Sequence, residues 1–355
     1  MKKKSKIVLD DPRHIFIIAE AGSNWKAGTY QNDIKRATKL IKLAATAGAN
    51  AIKFQTYNPN TVYVPNAGKS KYLSKSGFDK DIFKIFQEYS MPHKMLKELS
   101  KICEEEKILL MSTPFSIDDA IAVNKFVRIH KIAAFEINHI RLLEYLASTK
   151  KPIIISTGAS NISDIDFAVK LLRKNGVKEI CLLQTTSKYP SPIHSLNLRV
   201  INQLKKRYQL PIGLSDHSID PILAPTLAVG LGATIIEKHF TLNKKFRGPD
   251  HSFALNPKEL NQFIKTIRNS EKALGDGIKK ILKDEEELRN FATRSVQAID
   301  DISKNDLFVE GKNIDILRSG NQKRGEDAKF LTKITQKKSN RNIKLGDGVF
   351  LKDCQ

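Results

Sequence analysis

The stretch "IIEKHF" at Ile235–Phe240 begins with apolar residues and then turns polar, with Glu237, Lys238 and His239 in succession. Two isoleucines are typical of a buried strand, whereas burial of an unpaired charge is costly. A strand that ends at a shared, solvated pocket resolves this conflict, because its polar end then faces a site that can bind or react. The fold therefore depends on whether other strands end in the same way.

Eight short apolar runs recur along the chain: "IFIIAEAG" (15–22), "AIKFQT" (51–56), "ILLMSTPF" (108–115), "KIAAFE" (131–136), "PIIISTG" (152–158), "EICLLQTT" (179–186), "PIGLSDH" (211–217) and "TIIEKHF" (234–240). Amphipathic helical stretches lie between them, at 32–50, 95–107, 164–176, 220–233 and 257–275, and several end near a glycine. This alternation predicts an α/β fold, a (β/α)8 TIM barrel. An open doubly wound sheet is the alternative, but "EAGSNWKAG" does not fit its Gly-rich first turn.

The runs end in groups that can bind or react, at the ends of strands where barrel enzymes place their active sites. These groups are Glu20, Lys53, Gln55, Ser112, Thr113, Glu136, Ser156, Ser187, His217, Glu237 and His239. Because side chains alternate along a strand, we expect Lys53 and Gln55 to share one face, and Glu237 and His239 another. The apolar alternates can then pack against the helices.

The chain is predicted to contain a catalytic barrel at 1–275, a linker at 276–290 and a small, mostly β domain at 291–355. In the last segment, "DISKNDLF" (301–308) is echoed by "NIKLGDGV" (342–349), with Asn305 and Gly346 at matching turn positions. Both residue types can adopt positive φ. The connection at 57–92 is long for a loop and could cover the pocket.

The composition restricts the class of protein. The 355 residues are 41% hydrophobic and carry a formal charge of +22. This charge is compatible with nucleic acid, an anionic membrane or an acidic substrate, and also with no specific partner. The basic residues are dispersed and lack interleaved aromatic residues, so we expect no nucleic acid partner. No run of 18 apolar residues and no secretory signal occurs, so no membrane partner is expected. Three cysteines without metal-ligand spacing indicate a reducing compartment, the cytoplasm.

The strand-end residues suggest several kinds of chemistry. His217 and His239 end successive strands and could share a divalent ion with open coordination positions, although each could equally be a structural strand cap. Lysines and hydroxyls match phosphate and carboxylate oxygens, although a single Ser or Thr could be a helix N-cap. Glu20 and Glu136 could transfer protons or pair with lysines, and a lysine could form a Schiff base. The residues thus indicate a metal-assisted or imine-forming carbon–carbon bond enzyme that acts on an anion.

At these positions the chain resembles the sialic acid synthase family. The matching segments are "IIAEAGSN", "AIKFQTY", "STPF", "KIAAFE", "STGAS", "TTSKYPSP", "GLSDHS", "GATIIEKHFT" and "RGPDHSFALNP", and the tail "RSVQAIDDISKNDLFVEGKNIDILRSG" is similar to that family's C-terminal antifreeze-like (SAF) domain. The resemblance implies a domain-swapped homodimer that condenses phosphoenolpyruvate with an N-acetylated amino sugar and water, releasing phosphate. It also implies a Mn²⁺ or Mg²⁺ cofactor.

The resemblance also implies roles for individual residues. His217 and His239 would bind the metal, and with Glu20, the candidate for proton transfer, they form the catalytic set. Phosphoenolpyruvate would be held by Lys53, Thr113, Lys131, Ser156, Ser187 and Ser215. The sugar would be held by Gln55, Glu136, Tyr189 and Asp250, near Glu20, and by Arg318 from across the dimer.

Four positions depart from the family pattern: Trp25, Ala134, Asn305 and Ser319. Ala134 stands where a phosphate-contacting Ser is frequent, and losing a hydrogen bond to a charged group costs about 1.5–3 kcal/mol. The motifs conflict on the sugar, because "RGPDH" is similar to sialic and legionaminic acid synthases and "QTYNPNT" to pseudaminic acid synthases. Two alternatives remain, a class I aldolase that uses Lys53 or Lys131 and a non-catalytic sugar- or nucleic-acid-binding protein.

Overall fold

The computed structural model describes residues 7–64, 66–75 and 78–355, and the chain divides into two compact units, Met1–Gly275 and Asp276–Gln355. The first unit contains an eight-stranded parallel sheet. Its strands are β1 (Phe16–Gly22), β2 (Ala51–Thr56), β3 (Leu109–Pro114), β4 (His130–Ile132), β5 (Ile153–Ser156), β6 (Ile180–Thr185), β7 (Ile212–Asp216) and β8 (Ile235–His239).

The strands form a ring. Hydrogen bonds join them in the order β3-β2-β1-β8-β7-β6-β5-β4, and β3 packs beside β4 to complete it. The helices are α1 (Tyr30–Ala47), α2 (Lys71–Lys75), α3 (Ile82–Tyr89), α4 (Met95–Glu105), α5 (Ile117–Asn124), α6 (Ile140–Ser148), α7 (Ile162–Lys174), α8 (Val200–Tyr208), α9 (Leu223–Gly230) and α10 (Pro257–Leu274). This architecture confirms the predicted TIM barrel. Among the helices of the described ranges, none has both the length and the apolar character needed to span a bilayer.

The pleat of the strands separates the inside of the barrel from its helical coat. An apolar cluster fills the interior and includes Ile18, Met111, Ile154 and Ile235. Two residues further along the same strands, the inward positions are Glu20, Thr113, Ser156 and Glu237. The alternate residues, such as Ile52 and Phe54, pack in the separate cluster beneath the helices. Each strand thus supplies an apolar floor and then a polar group above it.

The fourth strand is shorter than the sequence predicts. The segment "KIAAFE" (131–136) was expected to be a strand, but β4 ends at Ile132 and a 3-10 turn follows at Ala134–Glu136. The ammonium of Lys131 donates a hydrogen bond of 2.9 Å to the carbonyl oxygen of Ile132. Because this bond satisfies the carbonyl locally, the backbone can leave the sheet there without an unpaired buried acceptor.

The connection between β2 and α4 is a packed substructure rather than an open loop. It contains a 3-10 turn at Pro59–Thr61, α2 and α3, and its apolar side chains form a cluster of their own that includes Tyr57, Leu73, Ile82, Ile85 and Tyr89. Helix α3 begins where the Asp81 carboxylate accepts from the Phe83 backbone N–H at 2.9 Å. Residues 65, 76 and 77 of the predicted 57–92 connection lie outside the described residues.

The second unit begins with an exposed segment that contains α11 (Glu286–Ala292) and continues to β9 (Arg294–Ala298), β10 (Ile314–Arg318) and α12 (Leu331–Ile334). Strands β9 and β10 pair antiparallel. The predicted internal repeat is visible as paired backbone, because Ile302 forms an antiparallel bridge with Ile343 at the same place in the other copy. Asn305 and Gly346 have φ of 75° and 86°, so both turns use the left-handed region. The antifreeze-like assignment of this unit stays a prediction.

Candidate active site

The carboxyl ends of the strands enclose a cavity of about 60 Å³. Ionisable side chains of β1, β2, β4 and β8 line it, as do His217 directly after β7 and hydroxyl groups of β3, β5 and β7. These residues are Glu20, Lys53, Thr113, Lys131, Ser156, Ser215, His217, Glu237 and His239. An outer pocket of about 850 Å³ shares Gln55 and Tyr189 with this cavity. The two spaces therefore adjoin, with a charged inner part and a wider outer part.

Lys131 is a buried ammonium without a carboxylate partner among the described residues. Its Nζ donates to Ser156 Oγ at 2.6 Å and to the Ile132 carbonyl at 2.9 Å. Burial lowers its pKa to about 8. An ammonium has three donors, so this side chain retains a charge and a hydrogen bond for an incoming anion.

Lys53 differs because two carboxylates flank it. Its Nζ lies 2.6 Å from Glu20 Oε2 and 3.7 Å from Glu237 Oε1. It also donates to Thr113 Oγ1 at 3.1 Å. Burial by itself lowers the pKa of Lys53, but the attraction of Glu20 and Glu237 outweighs burial and leaves the pKa above its ordinary value. Lys53 is therefore a permanent cation of the cavity.

The two carboxylates have different protonation behaviour. Burial raises the pKa of Glu20 to about 7, although the Lys53 charge opposes this shift. Burial also acts to raise the pKa of Glu237, but the charges of Lys131 and Lys53 outweigh it and lower that pKa. Ser215 Oγ donates to Glu237 Oε1 at 3.0 Å and further stabilises the anion. Glu20 can therefore exchange a proton near neutral pH, whereas Glu237 stays ionised.

The imidazoles of His217 and His239 lie side by side, with 5.5 Å between the ring centroids. His217 Nδ1 lies 2.9 Å from the Thr186 carbonyl oxygen, so this nitrogen carries the proton and Nε2 carries the lone pair. Burial lowers the pKa of His217 to about 4 and that of His239 well below its ordinary value. Both rings are consequently neutral at physiological pH.

This histidine pair fits a divalent metal ion. Neutral imidazole is the form that binds metals, and the buried His239 Nδ1 has no hydrogen-bond partner within the described part of the chain. The described residues contain no group of three or more His, Cys, Asp or Glu side chains that could hold a metal. An ion held by two imidazoles would keep most of its coordination positions for water and substrate oxygens.

The outer pocket has an aromatic wall that we define as Tyr57, Tyr63 and Phe86. The ring of Phe86 lies 4.7 Å from that of Tyr57 and 4.9 Å from that of Tyr63. Across the pocket, the Asp250 carboxylate accepts from Ser23 Oγ at 3.2 Å, and burial raises its pKa to about 6. The outer pocket thus combines apolar contact area with a few polar groups, as ligand sites commonly do.

Tyr189 lies where the two spaces meet. Its ring is 4.2 Å from the His217 ring and 6.1 Å from the His239 ring, between centroids. Gln55 Nε2 donates to Glu20 Oε1 at 3.2 Å on the same boundary. These side chains connect the inner charged groups with the outer pocket.

The structure brings together most of the predicted site residues. Ser187 lines the outer pocket, and within the described residues its buried Oγ and Glu136 Oε2 have no hydrogen-bond partner. Burial raises the pKa of Glu136 to about 7. Ser112 is an exception, because its Oγ bonds Thr56 Oγ1 at 2.7 Å and it belongs to the alternate face of β3, away from the cavity. Arg318 ends β10 in the second unit.

Some site features were missed by the sequence analysis. Glu237 was recognised as a strand-end group but received no role, although its place two residues before His239 puts both on one face. The aromatic wall was also missed. For Phe86 the signal was the helical spacing of apolar residues in "DIFKIFQEY" (81–89), which lies within the predicted 57–92 connection.

Comparison with known proteins identifies the family. The model of the NeuB family matches residues 40–279. The N,N'-diacetyllegionaminic acid synthase of Campylobacter jejuni is 38% identical over 299 residues, which cover 83% of this chain and 88% of that protein. The pseudaminic acid synthase of the same organism is 35% identical over 348 residues, covering 97% of both chains.

A similar solved structure is the N-acetylneuraminic acid (sialic acid) synthetase of Leptospira borgpetersenii in complex with citrate. Its TM-score is 0.67 at 34% identity, and the match covers 79% of this chain and 92% of that chain. Matches of this extent and identity include both the barrel and the strand ends that carry the cavity. The chain belongs to the NeuB family.

Proposed function

We propose that this protein is a nonulosonic acid synthase. It would condense phosphoenolpyruvate with an open-chain N-acetylated amino sugar and water, and release phosphate. The observation that carries the proposal is the presence in one cavity of two neutral histidines and a buried ammonium that forms no ion pair with the described carboxylates. Family membership supports it, because relatives named as sialic acid synthetase, legionaminic acid synthase and pseudaminic acid synthase match most of the chain.

Phosphoenolpyruvate is placed in the inner cavity in this proposal. Lys131 and Ser156, already joined by a hydrogen bond, present a hydroxyl and an ammonium that forms no direct ion pair with the described carboxylates. Thr113 beside Lys53 and Ser215 beside Glu237 extend the donor set, and Ser187 offers an unpartnered hydroxyl. Charge-assisted hydrogen bonds in a buried site carry most of the strength of such anion binding. Ala134 lines this cavity but supplies no donor.

His217 and His239 are proposed to hold a Mn²⁺ or Mg²⁺ ion. When bound, such an ion supplies Lewis-acid polarisation of a substrate carbonyl oxygen. The contribution of the protein is to keep both imidazoles neutral by burial and to fix the His217 tautomer through Thr186. A fixed tautomer orients the lone pair before the ion arrives.

The proposed reaction joins the two substrates by a carbon–carbon bond. C3 of phosphoenolpyruvate bonds to the aldehyde carbon of the sugar, and the hydroxyl of water adds at C2, while one water proton ends on the former aldehyde oxygen. The C2–O bond to phosphate then breaks, the C2 hydroxyl gives its proton to the departing phosphate, and a ketone remains at C2. Glu20 is the proposed proton carrier, because burial raises its pKa to about 7 and the Lys53 ammonium, 2.6 Å away, stabilises the carboxylate once it has lost its proton. Glu136 is a second carboxyl group with a pKa raised by burial to about 7, and it is the proposed proton carrier for the sugar.

The amino sugar is placed in the outer pocket, where Gln55, Tyr189 and Asp250 would orient it. The aromatic wall favours a diacetamido-trideoxyhexose over N-acetylmannosamine, because its additional methyl groups gain about 0.8 kcal/mol each when buried. A hydroxyl that faces such a wall without a partner costs about 1–3 kcal/mol. Arg318 would reach the sugar of a partner copy in a domain-swapped homodimer. We also propose a cytoplasmic location, since all three cysteines are free thiols.

The proposal is tested by phosphate release from phosphoenolpyruvate in the presence of each candidate sugar. Activity should disappear with EDTA, return with Mn²⁺, and be absent in His217→Ala. A class I aldolase would instead resist chelation and be trapped on Lys53 or Lys131 by borohydride with substrate. If no candidate sugar supports turnover and RNA binds with a steep salt dependence, the protein is a binding protein and the proposal is wrong.

A further inference from the structure

A second buried ion pair lies directly behind the two histidines. Lys238 Nζ is 2.5 Å from Asp216 Oδ2, and their side chains are 1% and 0% exposed. The two residues are register partners across β7 and β8, and each immediately precedes a histidine of the candidate site. They point to the outer face of the barrel, so they cannot touch the substrate.

The same ion pair fixes the backbone beyond His217. Lys238 Nζ donates to the Ser218 carbonyl oxygen at 2.6 Å, and Asp216 Oδ1 accepts from the Ser218 backbone N–H at 2.8 Å. Ser218 follows His217 directly, so the residue after this histidine is held at both its backbone N–H and its carbonyl oxygen. Lys238 itself precedes His239, so its ammonium links the backbone just before His239 to the backbone just after His217.

Stability alone does not account for this arrangement. A buried ion pair loses the hydration of both charges, and well-packed apolar side chains of similar volume are often as stable or more stable. Most outward side chains of the barrel strands are apolar, as Ile236 and Leu214 are on these two strands. The charged pair at this position of the β7–β8 register is thus better explained by directional bonds than by packing.

We propose that Lys238 is a positioning residue that, with Asp216 and Ser218, sets the distance and orientation of the His217 and His239 imidazoles. The ammonium joins β8 to the turn after β7, while the Thr186 carbonyl holds the His217 ring from the other side. This inference rests on the proposed metal site. It adds a role for residues that contact neither metal nor substrate.

The test uses the full-length protein and an apolar replacement of the pair, Lys238→Met with Asp216→Val. Because the two charges are removed together, no unpaired charge remains buried and the barrel should fold, which thermal unfolding verifies. Mn²⁺ affinity is measured by titration of the free-ion EPR signal. We expect at least a tenfold weaker Mn²⁺ affinity in the double variant, with the unfolding temperature near that of the parent.

A control separates positioning from general destabilisation. Leu204→Ala removes a buried side chain of α8 in the helical coat, so it should lower the unfolding temperature and leave Mn²⁺ affinity within twofold of the parent. Equal Mn²⁺ affinity in the parent and in the double variant would overturn the inference.

Imidazole NMR signals provide a readout that does not need the metal. In the metal-free double variant, the ring signals of His217 and His239 should shift or broaden relative to the parent, whereas in Leu204→Ala they should not. If the parent binds no Mn²⁺, the metal site of the proposed function is wrong, and the ring signals alone decide the positioning inference. Unchanged ring signals in the double variant reject it.

Discussion

Replacement of Lys131 by methionine should make the protein more stable and less active. The Lys131 ammonium is fully buried, forms no ion pair with the described carboxylates, and has a pKa lowered by burial to about 8 from an ordinary 10.5. A difference of this size corresponds to about 3 kcal/mol of destabilisation of the charged folded form at neutral pH, at about 1.4 kcal/mol per pKa unit. Methionine keeps most of the volume and removes that cost, while the Ile132 carbonyl oxygen loses its donor at about 1–3 kcal/mol. The free energy of unfolding should therefore rise, but by less than the full value of about 3 kcal/mol.

The same substitution should impair phosphoenolpyruvate use. A buried hydrogen bond to a charged group contributes about 1.5–3 kcal/mol, so kcat/KM for phosphoenolpyruvate should fall about 10- to 150-fold. The assay pairs phosphate-release kinetics with chemical denaturation of the substrate-free protein. A Lys131→Met variant that is less stable than the parent, or that keeps the parental kcat/KM, would refute the reasoning.

Lys53→Met is the matched comparison within the same cavity. Lys53 lies 2.6 Å from Glu20 and 3.7 Å from Glu237, so its loss leaves the buried Glu20 carboxylate without its cation and removes one of the two lysine charges that act on Glu237. Breaking a buried pair in this way costs about 3–5 kcal/mol. The two lysines should therefore have opposite effects on stability, although both substitutions should lower activity.

Three further outcomes are expected. Because the pKa of Lys131 is lowered to about 8 in the folded protein, the stability of the substrate-free parent should increase as pH rises from 8 towards the ordinary lysine pKa of the unfolded chain. The value of kcat/KM should fall over the same pH range. Unfolding and kinetics measured against pH for the parent and for Lys131→Met test both outcomes. In Gly158→Ala the new Cβ would lie 2.2 Å from Ser187 Oγ, so kcat/KM for phosphoenolpyruvate should drop more than tenfold, and normal kinetics would contradict the role of Ser187. Phe86→Ser should reduce kcat/KM for a diacetamido-trideoxyhexose more than for N-acetylmannosamine, and an equal loss in parallel assays would exclude the aromatic wall as a specificity element.

The barrel and its polar strand ends were predictable because they follow from local pattern. Alternation places Lys53 and Gln55 on one face of β2 and Glu237 and His239 on one face of β8, and no long-range information is needed for that inference. The turns at Asn305 and Gly346 were equally local, since the repeat itself indicated positive φ.

Features that depend on contacts between distant segments were not predictable from one sequence. The early end of β4 is an exception, because the bond from Lys131 to the Ile132 carbonyl is local, but the sequence shows only an apolar run there. Ser112 and Thr113 are adjacent in sequence, yet only the pairing of Ser112 with Thr56 across β2 and β3 reveals which hydroxyl faces away. Likewise, the different roles of Lys53 and Lys131 appear only once the carboxylates near each ammonium are known.

The charge balance of the inner cavity links metal and substrate. The cavity contains two lysines and two glutamates, Lys53 and Lys131 against Glu20 and Glu237, and burial keeps its histidines neutral. With Glu20 ionised, the protein groups sum to about zero formal charge, which poorly compensates the multiple negative charges of phosphoenolpyruvate. A divalent cation on His217 and His239, or a proton on Glu20, would supply the missing positive charge.

Mn²⁺ and phosphoenolpyruvate should therefore each raise the affinity for the other by the same factor, because binding linkage is reciprocal. Titrations of each ligand with and without the other would measure that factor, and independent binding would show that the cavity compensates the substrate charge by another route.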